Sequence, residues 1–90
     1  MILGKVVGTV WATKKDESLV GLKFQIVKHV DLDYNVKDNF LIAVDSVGAG
    51  IGEIVLVATG SSARLTTVTK NKPVDAVIMA IVDKLDVVSD

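Results

Sequence analysis

Hydrophobic and polar positions alternate along residues 2–13. Ile2, Gly4, Val6, Gly8, Val10 and Ala12 fall on one side, and Lys5, Thr9 and Thr13 on the other. A period of two predicts a strand with one buried face. Gly4 and Gly8 lie on the apolar side, where glycine lets a strand bend sharply or another backbone come close. After a polar turn at 14–18, a second strand is predicted over 21–30, with Leu22, Phe24 and Ile26 inward and Lys23 and Gln25 outward. Residues 31–38 are rich in turn formers and read as a loop. A third strand over 39–45 carries Phe40, Ile42 and Val44 on one face. Glycine-rich 48–52 breaks the pattern, and 53–59 makes a fourth strand. Residues 61–65 form a single helical turn that Ser61 is placed to cap. Residues 66–72 follow neither apolar period and read as a surface loop.

Beyond Pro73 the pattern fits two templates. Val74, Val77, Ile78, Ile81, Val82 and Leu85 make a helical stripe over 75–88, but the density of Val and Ile favours a strand. With a fifth strand there, the expected fold is all-β. It is one domain over 1–90, a small five-stranded OB-like barrel with a short helical turn after the fourth strand.

Two strands are apolar on both faces. In the fourth, Ile54, Leu56 and Ala58 oppose Val55 and Val57; in the fifth, Ile78, Ala80 and Val82 oppose Val77, Met79 and Ile81. A barrel has one core face, so such strands need an outer cover. In a short chain with little helix the expected cover is a neighbouring subunit. That reading puts Val55 and Val57 on a candidate outer face.

Composition points the same way. Half of the 90 residues are hydrophobic and the mean hydropathy is +0.50. A chain of this length buries only about 60–65% of its unfolded surface. The excess must meet a membrane, a partner or copies of the chain. The longest apolar run, 76–82, falls far short of the ~20 residues of a spanning helix. No basic and apolar leader opens the sequence, so secretion is not expected. There is no cysteine, and the net charge of −1 gives no field to attract nucleic acid or anionic lipid. Self-association in the cytoplasm is the expectation.

Candidate chemistry is sparse. His29 is the only histidine, without a second His or a Cys to complete a metal set. Ser61 and Ser62 sit in G-S-S-A-R, which is not a nucleophile elbow. Gly48, Gly50 and Gly52 precede a strand where a dinucleotide fingerprint needs a helix. The aspartates match no calcium loop. Arg64, the single arginine, is a candidate for pairing across an interface. No catalytic residue, cofactor or metal is expected. The alternative to self-assembly is an OB-like binding module for single-stranded nucleic acid or a small ligand. That role wants clustered aromatics among basic residues. The four aromatics are scattered, with Phe24 and Phe40 expected inward and Trp11 and Tyr34 in separate segments.

Taken in order, four stretches resemble the EutN/CcmL family of microcompartment vertex proteins. They are M-I-L-G-K-V-V-G-T-V-W-A-T (1–13), S-L-V-G-L-K-F (18–24), A-V-D-S-V-G-A-G-I-G-E-I-V-L-V-A-T-G-S-S-A-R (43–64) and P-V-D-A-V-I-M-A-I-V-D (73–83). The resemblance covers nearly the whole chain. It implies an OB-like barrel, no enzymatic activity, and cyclic homopentamers that cap the vertices of a cytoplasmic shell tiled by hexameric shell proteins. It implies neither a nucleic-acid nor a membrane partner. It also places subunit contacts and a narrow axial opening at Gly48, Ala49, Gly50 and Gly52 and at Gly60, Ser61, Ser62 and Arg64, with Gly60, Ser61 and Ser62 nearest the axis. Phe24 and Gln25 depart from the leucines that family members often carry, and the 66–72 loop is particular to this chain.

Overall fold

A computed structural model describes residues 1–88. Five strands, β1 (Ile2–Val10), β2 (Phe24–Val30), β3 (Val36–Asp45), β4 (Ile54–Thr59) and β5 (Ala76–Ile81), close into one barrel in the order β1-β2-β3-β5-β4. All neighbours are antiparallel except β3 and β5, which pair in parallel at Val44–Val77 and Asp45–Ile78. Short 3₁₀ turns stand at Glu17–Leu19 and Gly60–Arg64. The expected all-β barrel and the turn after the fourth strand are both present. The ambiguous 75–88 segment is a strand only as far as Ile81, and 82–88 has no regular structure.

The barrel interior is filled by Val6, Val27, Ala43, Ala49, Val55, Val57, Ala76 and Ile78. Their small and branched side chains suit a narrow barrel in which every strand contributes. Gly4 lies where β1 packs tightly against β2. A β-carbon there would stand 2.8 Å from the Lys28 carbonyl oxygen and overlap the Val27 Cγ1 methyl. Only glycine permits that approach.

Two β-bulges displace the simple alternation. Val6 pairs with Val27 and Gly8 with Ile26, so Val7 is an extra residue in β1. Each residue after it points to the opposite side from the one expected. Thr9 therefore faces in, and Gly8 and Val10 face out, the reverse of the expected alternation. In β5, Val57 pairs with Ile78 and Leu56 with Ala80, which leaves Met79 as the inserted residue. Ile81 thereby rejoins Ile78 against the core.

The facing of β2 and β3 is also reversed. Gln25 and Val27 pair with Ala43 and Leu41 on the inside, so Phe24, Ile26, Phe40 and Ile42 face out. A buried Gln is tolerable because its amide is satisfied. Thr9 Oγ1 donates to Gln25 Oε1 at 2.8 Å, and Gln25 Nε2 donates to the Ala49 carbonyl at 2.9 Å.

A second, smaller core lies outside the barrel wall. Val44, Ala58 and Val77 meet Ala63 and Val74, with Leu19, Leu22 and Phe24 at its edge. The 3₁₀ turn and the 65–75 segment thus cover part of the outer face of β3, β4 and β5. Within it, 66–72 is the expected surface loop, mostly exposed and pinned to the barrel at Thr69. The buried Thr69 hydroxyl donates to the Ala63 carbonyl at 2.6 Å, and the Thr69 amide donates to Thr66 Oγ1 at 3.0 Å. Much of the cover expected from a neighbour is therefore supplied by the chain itself.

Candidate subunit-contact site

The residues singled out from the sequence do not form one site. Gly48, Gly50 and Gly52 belong to the loop entering β4, whereas Gly60, Ser61, Ser62 and Arg64 come after it. Six residues of extended β4 separate the groups by about 20 Å.

The loop before β4 is built by side chains closing on its own backbone. Asp45 Oδ1 accepts the Val47 and Gly48 amides, each at 3.0 Å, and the Gly50 amide donates to Glu53 Oε1 at 2.7 Å. Gly48 and Gly52 have φ of +77° and +91°, which suits glycine. The Gly52 amide donates to the Val6 carbonyl at 2.7 Å, which moors the loop to the bend in β1. Ala49, expected at a contact, is instead buried in the core under the Gln25 amide.

At the other end of β4, Gly60 turns the chain with φ of +70°. Ser61 and Ser62 are exposed. No side chain caps this turn, contrary to the role expected of Ser61; the Ser62 hydroxyl donates back to the Thr59 carbonyl at 2.8 Å. Arg64 donates to the Val74 carbonyl at 3.1 Å and so holds the cap to its own barrel. Among the described residues no group of three or more His, Cys, Asp or Glu stands close enough to hold a metal, and no helix is long and apolar enough to cross a membrane.

Val55 and Val57 require the main correction. Both are fully buried in the barrel interior, because their partners across β1 are Gly4 and Ile2 on the inward face. The outward face of β4 is Ile54 and Leu56, with Leu3 and Lys5 beside it on β1 and Ala80 on β5. These residues are partly exposed. A second apolar surface lies on β2 and β3, where Ile26 pairs with Ile42 and Lys28 with Phe40. Phe40 is 61% exposed and Ile42 38%. The strand order sets the two surfaces on opposite flanks of the barrel. Sequence reasoning missed the second flank, although Leu41 and Ala43 between Phe40, Ile42 and Val44 mark a third doubly apolar strand.

Related proteins share this chain from end to end. The sequence profile described as ethanolamine utilisation protein EutN/carboxysome matches residues 1–83. The bacterial microcompartment shell vertex protein GrpN of Rhodospirillum rubrum (strain F11) is 44% identical over 99% of this chain and 100% of its own. The solved GrpN structure, described as a pentameric microcompartment shell protein, has a TM-score of 0.88 at 43% identity, covering 98% of this chain and 100% of that one. CcmL of Nostoc sp. PCC 7120 has a TM-score of 0.91 at 43% identity, covering 94% and 92%. With the barrel, its order of elements and this full-length identity in agreement, the chain belongs to the EutN/CcmL family.

Proposed function

We propose that this protein is a structural subunit rather than an enzyme. It closes into a homopentameric ring in the cytoplasm and caps the vertices of a microcompartment shell, against hexameric shell proteins. The observation that carries the reading is the pair of unlike apolar flanks. A cyclic ring is heterologous: one patch on each subunit meets a different patch on the next. Leu3, Leu56 and Ala80 on one flank and Ile26, Phe40 and Ile42 on the other supply two such patches. Its relatives support the number five, since GrpN is described as pentameric. The exposed Gly60, Ser61 and Ser62, at the opposite end of β4 from the Gly48–Gly52 loop, are our assignment for its axial opening.

The outward flank of β2 and β3 is also where OB folds bind oligonucleotides. Here Phe40 is the one exposed aromatic, since Phe24 packs against the outer cap, and Ile26 and Ile42 beside it suit a protein neighbour better than stacked bases. The test is substitution on each flank. Leu56→Lys and Ile42→Lys should each release folded monomers, read by native mass spectrometry together with circular dichroism. Rings that survive both substitutions would contradict the assignment of these flanks.

A further inference from the structure

An apolar groove of about 460 Å³ opens at the far end of β1, lined chiefly by Val10, Trp11, Lys15, Leu22, Lys23 and Phe24. Trp11 is 87% exposed, an unusual position for the largest apolar side chain in the protein. Residues 82–88 form an arm without regular structure, whose Val87 and Val88 are exposed. The arm carries these apolar side chains together with Val82 and Leu85, and three charged ones, Asp83, Lys84 and Asp86.

Resting on the ring reading above, we propose that the arm of each subunit docks in the Trp11 groove of its neighbour. Strand directions place the two at the same end of the barrel. β1 and β5 both run antiparallel to β4, so they run parallel to each other. The arm starts where the Val82 amide donates to the Ile54 carbonyl at 2.8 Å, level with Lys5 on β1. From that level β1 continues to Val10 and the groove. Residues 82–88, at about 3.3 Å each when extended, reach about 20 Å in the same direction. A neighbour turned about an axis running with the strands keeps its arm at that level. Charge agrees as well: Lys15 and Lys23 flank the groove, and the arm carries two carboxylates against one lysine. Docking gives Trp11 an apolar cover and brings Asp83 to Lys15 and Lys23, whereas Asp86 already stands 3.7 Å from Lys84 of its own arm.

The chain has no cysteine and one tryptophan, so two clean probes exist. Chains bearing Ala12→Cys and chains bearing Val87→Cys are co-expressed and oxidised. The expected result is a two-chain disulfide product that neither variant forms alone. In the unmodified ring, Trp11 emission should lie to the blue of that from a chain ended after residue 82, and the shift should vanish when the protein is unfolded. A five-chain mass with no such product, or with unshifted emission, would overturn arm exchange and leave the ring standing. A single-chain cross-link in the double variant would overturn it too, because each groove would then hold its own arm. A single-chain mass for the unmodified protein would instead remove the ring, and this proposal with it.

Discussion

Gln25 and Ala49, far apart in sequence, are joined inside the barrel by a 2.9 Å hydrogen bond from the Gln25 side-chain amide to the Ala49 carbonyl. The same side chain accepts from Thr9 at 2.8 Å. One buried residue thus ties the end of β1, the start of β2 and the glycine loop before β4. Gln25→Leu keeps the volume but leaves the Ala49 carbonyl and the Thr9 hydroxyl unpaired, at a cost of about 1–3 kcal/mol. Urea unfolding should show that loss. In a double-mutant cycle with Thr9→Val, the two effects should couple by about 0.5–3 kcal/mol; strict additivity would mean that the bond contributes nothing.

Gly4 tests the close crossing of β1 and β2. Gly4→Ala sets a methyl against the Lys28 carbonyl oxygen and Val27. Overpacking of this kind costs about 1–3 kcal/mol. The melting temperature should fall, whereas Gly8→Ala, whose nearest obstacle is the flexible end of Ile26 at 3.2 Å, should be milder. Equal effects would contradict the role assigned to Gly4.

The reversed β4 faces give a sharp contrast. Val57→Lys buries an unpaired ammonium in the core, at an effective cost of several kcal/mol against a total stability of about 5–15 kcal/mol. It should abolish the folded circular dichroism spectrum. Leu56→Lys, one residue away but facing out, should leave the spectrum intact. A folded barrel carrying Val57→Lys would restore the facing expected from the sequence.

These contrasts also show what the sequence could and could not reveal. The strands, their order along the chain and the turn after β4 were legible, because alternation and glycine punctuation are local signals. Facing was not. The bulges at Val7 and Met79 each insert one residue and invert the facing of the rest of the strand, and no local pattern announces them. Gln25 looked like a surface residue because its partners, Thr9 and Ala49, come from other strands and loops. Val55 and Val57 were indistinguishable from Ile54 and Leu56 by type. What separates them is the pairing of Val55 with Gly4 and Val57 with Ile2 on the inward face of β1, a long-range contact.

Asp31 organises the turn between β2 and β3. Its carboxylate is held down to about 2, foremost by the Asn35 backbone amide at 3.0 Å, with further help from the Asn35 side chain, the Asp33 amide and Lys37. A lowered carboxylate value stabilises the folded form fully above the unfolded value near 3.9. That contribution fades as the pH falls toward about 2. A carbon-detected NMR titration of the Asp31 carboxyl should give a midpoint near 2; an ordinary carboxylate midpoint would show that the turn does not hold it.

The central claim is that two unlike apolar flanks close this barrel into a ring of five. Native mass spectrometry of the unmodified protein at micromolar concentration tests it most directly. The predicted result is one dominant species at five times the 9.6 kDa chain mass. A monomer or a two-fold dimer as the dominant species would contradict it.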